Sequence, residues 1–540
     1  MGTRTSVKPG RIGFTRRAFV AAAAAGAAAC SRVGQSTWDG GWVGDAPLRG
    51  HRLRDAMALP APAVQRRCDV IVAGAGIAGL AAARALMQQG VSDIVVFELH
   101  DEAGGNSRGH RLAGVPCPLG AHYLPLPGSQ AHEVAAWLEE IGLLRQEFGR
   151  TVTDERHLCH SPQERLFFEG AWHEGLLPPA DPGSHTQAQY LRFAQRVAEA
   201  QRELGFALPS QRAGWTPAHA ALDARTFAEW LDTERLDDAR LRWYLDYACR
   251  DDYGAGSDTV SAWAGLHYFA SRHGFHPPGS DEGERDAVLT WPEGNAWLVA
   301  RLAQPLGDRL QGGCVVSRIV AERHGVQIDL WNEREQRVER WRADRAVCAL
   351  PLFVAARALE SPPEVLREAA AVARHAPWLV ANLHLDRPLL DRPGAAPSWD
   401  NVAYGSSGLG YVDAQHQSLS PVPGATVLTA YRALSVDQRA ALLGRPWRDW
   451  ARVILDDLST VHPDLPQKLR RIDMARHGHA MSIPVPGLRA HPALQALRDG
   501  GVTPRLHWAH ADLAGYSVFE EAFTSGDAAG RDAARALRGH

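Results

Sequence analysis

Asp69-Val70-Ile71-Val72-Ala73-Gly74-Ala75-Gly76-Ile77-Ala78-Gly79 is the stretch on which the fold of this 540-residue chain turns. Its first half is an unbroken apolar run, as a parallel strand buried on both faces requires. Residues 77–89 then carry Ala and Leu at helical spacing, and Asp93-Ile94-Val95-Val96-Phe97-Glu98 is a second apolar run ending in an acid. The order is strand, helix, strand. Gly74 permits the tight turn, Gly76 lets a pyrophosphate approach the backbone, and Gly79 lets the helix pack on the strand. Ile77 and Ala78 open that helix, whose N-terminus faces the anion. Glu98 follows Gly79 by 19 residues, where a carboxylate binds ribose hydroxyls. By itself such a loop fits NAD as well as FAD.

At this length two domains are expected, consecutive or interleaved. Hydrophobic residues make up 45% and charged residues 22%, ordinary for a globular protein. A net charge of −3 gives no reason to expect nucleic acid or an anionic membrane as a partner. Lys8 and Lys468 are the only lysines. None of the seven cysteines forms a CxxC pair, so zinc knuckles and thioredoxin-like chemistry are excluded and no metal site is expected. P-loop and HExxH motifs are absent as well, which removes support for phosphoryl transfer and zinc proteolysis.

The N-terminus reads separately. Thr15-Arg16-Arg17-Ala18-Phe19-Val20 precedes a small apolar run over 21–29, a pattern that resembles a twin-arginine export signal. The run is too short for a permanent transmembrane anchor. Cys30 follows Ala27-Ala28-Ala29 and is a candidate lipid-attachment cysteine, although the usual leucine is missing. The expectation is an exported, periplasmic protein, with membrane attachment through a lipidated Cys30 left open.

Along the chain, 1–30 reads as signal peptide and 31–66 as a Gly-, Pro- and Arg-rich linker. Residues 67–150, 291–355 and 501–540 read as three parts of the nucleotide domain, and 151–290 and 356–500 as two inserted parts of a substrate domain. The first insert looks mostly helical, with apolar periodicity over 131–142, 188–204, 226–249 and 257–272. Strands are expected at 314–319, 326–331, 345–350, 379–385 and 425–431, and helices at 297–306, 363–374, 447–461 and 519–537.

The residues past Glu98 separate the two dinucleotides. Asp101-Glu102-Ala103-Gly104-Gly105-Asn106-Ser107-Arg108 places a second glycine pair after the acid. Leu119-Gly120-Ala121-His122-Tyr123, Gly312-Gly313-Cys314-Val315-Val316, Ala346-Val347-Cys348-Ala349-Leu350-Pro351 and Trp508-Ala509-His510-Ala511-Asp512 follow. Val518-Phe519-Glu520-Glu521 opens the last helix. In this order they resemble the flavin-containing amine oxidase superfamily, which includes monoamine and polyamine oxidases, protoporphyrinogen oxidases and carotene desaturases. The resemblance covers residues 68–540. It implies an α/β fold with a Rossmann-like FAD-binding domain (GR2-type) interleaved with an α+β substrate-binding domain.

The same resemblance implies a residue set for FAD. Gly104, Gly105, Asn106, Ser107 and Arg108 meet its phosphates, with Asn106 at the usual arginine and Arg108 a candidate to supply the missing charge. Gly120 and Ala121 lie beside the flavin ring, the backbone near Val316 pairs with adenine, and Ala349 leads back to the substrate domain. Asp512 contacts the phosphate or ribityl region, and the helix N-terminus at Val518 and Phe519 faces the flavin.

Departures from the family weaken the chemistry rather than the cofactor. The strand expected to carry a flavin-side lysine, Leu379-Val380-Ala381-Asn382-Leu383-His384-Leu385, has none. Ser517-Val518-Phe519 stands where monoamine oxidases place a second tyrosine, with Tyr516 offset. No cysteine matches the flavin-linked one, so a non-covalent flavin is expected. Candidate catalytic residues are His122, next to the flavin segment; His479, in His477-Gly478-His479-Ala480-Met481; and Asp252, at a helix end that also reads as a simple cap. Trp291, Trp378 and Trp508 are candidate pocket walls. The leading expectation is hydride transfer from a small-molecule amine to FAD, the onward electron acceptor unknown. The alternatives are a C–C desaturase or dehydrogenase of an apolar substrate, and a non-catalytic flavin-binding protein.

Overall fold

The apolar run at 69–73 builds the centre of a seven-stranded sheet in the computed structural model, which describes residues 38–44, 47–54, 60–272, 274–277, 287–416, 424–500, 502–503 and 505–539. The signal-like segment and Cys30 lie outside the described residues. The account below concerns the unit from Gly40 onward.

The central strand runs Val64–Ala73, starting before Asp69. It lies between Ile94–Glu98 and Arg337–Cys348, parallel to both, and Leu310–Gly312 extends the sheet parallel to Ile94–Glu98. The long strand Arg337–Cys348 forks. Its first half pairs antiparallel with Gly325–Asn332, and its last residues pair parallel with Leu506–Trp508. Alternation along the central strand sends Val70 and Val72 into one core with Leu80, Leu86 and Phe523. Ile71 and Ala73 enter another with Leu352, Leu366 and Leu494. Both faces are covered, which is why the run is apolar without interruption.

The parallel strands end level: Ala73 pairs with Phe97 and with Cys348, and Cys348 with Trp508. The ladder then continues into the loops, with Gly74 N–H donating to Phe97 O (2.9 Å), Ala349 N–H to Ala73 O (2.8 Å) and Ala509 N–H to Cys348 O (3.0 Å). The loops at Gly74, Glu98, Ala349 and Asp512 therefore leave the same edge. In open α/β sheets that carboxyl edge is where ligands bind.

A second sheet carries the substrate side. Its neighbouring strands are, in order, Leu469–Ile483, Arg374–Leu385, Thr426–Ala433, Tyr411–Asp413, Asp400–Ala403, Glu164–Phe168 and Ala171–Glu174. Helices His185–Glu203, Phe227–Thr233, Ala239–Tyr253 and Ala262–Ala270 pack into an aromatic core beside it.

Three features differ from the sequence reading. The helix expected over 226–249 is two helices, because Arg235 takes a positive φ of 53° and Asp238 restarts the chain as an N-cap accepting from Arg240 and Leu241 N–H at 3.0 Å. Within the stretch expected to be mostly helical, Glu164–Phe168 and Ala171–Glu174 form a hairpin whose turn residues Glu169 and Gly170 both have positive φ. The fifteen-residue strand Leu469–Ile483 went unread because Arg470, Arg471, Arg476, His477 and His479 mask its apolar alternation. No helix among the described residues is long and apolar enough to cross a membrane.

Candidate active site

The two glycine pairs of the sequence meet at the carboxyl edge of the nucleotide sheet. Gly74 has φ +100°, and a Cβ there would lie 2.6 Å from Ala349 O; a Cβ on Gly79 would lie 1.8 Å from Gly74 O. Both positions exclude side chains for packing reasons. Gly76 differs, since a Cβ there would meet nothing within 4 Å. It caps helix Ile77–Gln88 without any side-chain hydrogen bond, leaving the first N–H groups for an anion. Gly104 N–H donates to Ala75 O (2.8 Å), and a Cβ on Gly105, whose φ is +56°, would lie 3.3 Å from Gly76 Cα. The second turn thus closes over the first.

Glu98 is 5% exposed, and its carboxylate accepts from Ala75 N–H and His100 N–H, each at 3.0 Å. A cavity of about 340 Å³ opens beside it, lined among others by Asp101, Arg108, Val299, Leu310 and Arg334. An uncapped helix, an open glycine and a buried ribose-type acid next to a cavity fit the pyrophosphate and nucleoside of FAD. The Arg108 guanidinium lines that cavity while donating to Gly105 O (3.1 Å) and Gly44 O. Ser107 N–H is bound to Gly104 O (2.8 Å). Asn106 donates its amide to Ala480 O. Ala121 N–H donates to Asn106 O (2.8 Å), where a Cβ on Gly120 would lie 2.1 Å away. On the strand with the adenine-side candidate, the ladder slips between Val316 and Arg318, and Ser317 Oγ donates to Asp329 O (2.8 Å).

Asp512, 1% exposed, is held from three directions. Its carboxylate accepts from Leu352 N–H (3.0 Å) and pairs with His375 Nε2 (3.0 Å), and its own N–H donates to His510 Nδ1 (3.1 Å). Burial alone raises a carboxyl, yet His510 and His375 outweigh it and keep Asp512 well below the usual range. Helix Phe519–Leu537 follows, its N-cap Val518 again without a side-chain hydrogen bond. Phe519 turns to Trp137 and Phe523 in the core. Tyr516 is also interior: its OH donates to Glu521 Oε1 (2.6 Å) and lies 2.8 Å from His267 Nε2. It forms a strut rather than a pocket wall.

On the substrate side, His122 stacks on Tyr431 (ring centroids 4.4 Å, 24°) and meets Tyr123 at 5.1 Å and Trp399 at 5.4 Å. Tyr431 OH donates to Gly120 O (3.1 Å), tying this wall to the flavin segment. Burial pushes the His122 imidazole down to about 3, so the ring is neutral. Of the tryptophans singled out earlier, Trp378 joins this apolar cluster. Trp291 stacks on Trp297, and Trp508 belongs to the other core. Trp399 and Tyr431 were missed: Tyr431 lies on the strand expected at 425–431 and Trp399 just precedes the unread strand Asp400–Ala403, and no local motif marks either ring.

Asp252 ends helix Ala239–Tyr253, which Gly254 closes in the left-handed conformation (φ +71°). The cap reading and the buried acid coexist: Asp252 is 7% exposed and lies 3.6 Å from Arg272 Nη2. His479 is not brought to His122. Its ring neighbours are Phe353 (4.6 Å) and His375 (6.1 Å), and burial with Arg439 holds it at about 4. Lys468 pairs with Asp464 and donates to Pro388 O, both at 2.5 Å. Strand Arg374–Leu385 buries two polar residues, His375 against Asp512 and Asn382, which donates to Pro118 O (3.0 Å) and accepts from Thr429 Oγ1 (2.7 Å).

Fold and cleft define the class as a flavin-binding α/β protein. The model of the flavin-containing amine oxidoreductases matches residues 77–534, and the chain belongs to that family. It is 29% identical over 275 residues to a Mycobacterium tuberculosis protein named as a flavin-containing monoamine oxidase (50% of this chain, 54% of that one). It is 26% identical over 312 residues to an L-amino acid dehydrogenase of Synechocystis (58% and 61%). The matched regions thus span a little over half of those relatives. Putrescine oxidase bound to putrescine superposes with a TM-score of 0.66 at 18% identity, over 87% of this chain and 99% of that one, a likeness of fold.

Proposed function

We propose that this chain oxidises an amine whose nitrogen-bearing carbon gives up a hydride, leaving an imine that water hydrolyses to a carbonyl compound and ammonia. FAD, when bound, supplies the two-electron acceptor. Its proposed ligands are Gly74, Gly76, Ile77, Ala78, Gly79, Glu98, the turn from Gly104 to Arg108, Gly120, Ala121, Val316, Ala349, Asp512, Val518 and Phe519. The buried, high thiol values of Cys68, Cys117 and Cys348, each pushed up to about 12, favour a non-covalent flavin.

The observation that carries the reading is the aromatic wall of His122, Tyr123, Trp399 and Tyr431, fastened to Gly120. A neutral, desolvated wall favours the uncharged amine, the form able to release hydride, and orients its carbon while excluding water. His122 serves there as a wall, Asp252 holds Arg272 beneath it, and His479 supports the His375–Asp512 pair. Acids behind the wall favour an amine over an apolar C–C substrate.

The test is anaerobic reduction of the bound flavin by panels of amines and of apolar compounds. Bleaching by no amine would sink the reading, and peroxide on reoxidation in air separates oxidase from dehydrogenase. Export by the twin-arginine route into the periplasm, with Cys30 lipidated or free, is part of the proposal; mass spectrometry of the mature N-terminus decides it.

A further inference from the structure

Chain ahead of a fold is ordered only where something ties it down, and two pieces of the stretch that reads as a linker are tied. Residues 40–44 join the edge of the substrate sheet, where strand Asp39–Trp42 lies beside Leu469–Ile483. Val43 N–H donates to Met474 O (2.8 Å), and the Arg476 guanidinium lies 4.6 Å from the Trp42 ring centre. Val43 also packs against the cluster of Tyr123 and Tyr431. The backbones are so close that a Cβ on Gly40 would lie 1.8 Å from Ile472 O. From this anchorage the chain turns at Gly44, whose φ is +66° and whose carbonyl accepts from the Arg108 guanidinium.

Helix Pro47–Arg54 fastens to the nucleotide domain instead. Arg49 makes a two-pronged pair with Asp101 (3.0 and 3.1 Å) and donates to Leu99 O (3.3 Å), next in sequence to Glu98. Arg52 lies 3.4 Å from Glu333 and over the Trp331 ring (5.1 Å). None of the helix's residues is buried, so polar contacts rather than a core hold it.

Both pieces reach the cavity of about 340 Å³ beside Glu98, because Arg108 and Asp101 line it. The Arg108 guanidinium, on a residue 8% exposed, is spanned between Gly105 O (3.1 Å) and Gly44 O. A carbonyl from outside the glycine turn therefore fixes the direction of the charge, and a guanidinium held in one direction pairs with phosphate in a defined geometry.

We propose that residues 40–44 and helix Pro47–Arg54 form a cofactor strap. Gly44 and Arg49 are positioning residues that keep Arg108 and Asp101 in place for the pyrophosphate and nucleoside of FAD, and FAD leaves only once the strap has detached. The inference rests on FAD lying beside Glu98. A segment held by backbone bonds and ion pairs opens far more readily than the core, and bound FAD shifts it toward the attached form.

The experiment follows FAD release from diluted holoenzyme by the rise in flavin fluorescence. Gly44→Ala should speed release roughly five- to thirtyfold, since left-handed alanine strains only the attached strap. Arg49→Ala should speed it about two- to fivefold, as an exposed ion pair allows. Arg452→Ala removes a different exposed pair, with Asp449, and should change nothing. A second measurement needs no variant: trypsin cleavage after Arg49, Arg52 or Arg54, read from fragment masses, should be slower in the FAD-loaded protein than in its apo form. Unchanged release in both strap variants, or one cleavage rate with and without FAD, would overturn the inference alone. Protein that stays colourless after FAD is added would overturn the FAD site and the inference with it.

Discussion

Gly526 on the closing helix and Ala78 on the first helix touch backbone to backbone: a Cβ on Gly526 would lie 2.0 Å from Ala78 O. One turn on, a Cβ on Gly530 would lie 2.4 Å from Ala82 O. This crossing locks the two uncapped helix starts, at Gly76 and Val518, to the same side of the sheet.

Gly526→Ala should therefore separate the helices. Overpacking of a tight core costs about 1–3 kcal/mol, and part of the loss should appear as weakened FAD retention. Thermal unfolding with and without added FAD measures it. Gly128→Ala, where a Cβ meets nothing within 4 Å, is the control and should change neither quantity.

Asp512→Asn tests the buried pair with His375. A hydrogen bond to a charged group is worth about 1.5–3 kcal/mol, so the substitution should lower stability by that order. Asp512 is depressed in the folded state, so its contribution is present above the unfolded value of about 3.9 and lost as pH falls through the folded one. The wild-type protein should keep this advantage down to about pH 4, and the variant should lack it throughout. Unfolding curves of both proteins between neutral pH and mild acid distinguish these outcomes.

For an amine that binds as its cation, kcat/KM should rise as pH passes through about 7, where Asp251, raised by burial, ionises. Below that value the carboxyl is neutral and attracts no ammonium; above it the charge is present while the ammonium is still protonated. Asp252 and Glu164 oppose ionisation, and Arg250 and Arg272 favour it. Glu520 also sits at about 7, so Asp251→Asn should remove the limb and Glu520→Gln should shift it. A flat profile in the wild-type enzyme would contradict the assignment.

His122 separates a wall from a base. With its ring held neutral near 3, His122→Phe should keep most flavin-reduction rate, whereas His122→Ala should lose stacking worth about 0.5–1.5 kcal/mol, up to roughly tenfold. Equal, large losses in both variants would assign the ring a proton-transfer role instead.

How far the chain could be read in advance follows the range of each signal. Val70 to Gly79, Glu98 and the turn at Gly104-Gly105 are local: strand, turn and helix start lie within a few residues, and their spacing is dictated by backbone geometry. The class of fold was legible from such stretches alone, and the cofactor from the ordered motifs, as far as the helix at Phe519, that resemble the flavin-containing amine oxidases. Strand Leu469–Ile483 was not, because its polar residues face partners that only the assembled protein supplies, such as Leu119 O for His477.

The substrate side lay beyond reach for a related reason. Asp400 and Glu164 are 236 residues apart and become neighbours through one parallel pairing. Tyr431 reaches His122 from a strand 309 residues further on. Residue order, through local sterics and apolar periodicity, determined a dinucleotide-binding fold, and the ordered motifs that resemble the flavin-containing amine oxidases pointed to FAD. Tertiary packing alone decided which aromatic rings and which acids share one interior, because contacts between distant strands leave no spacing to read.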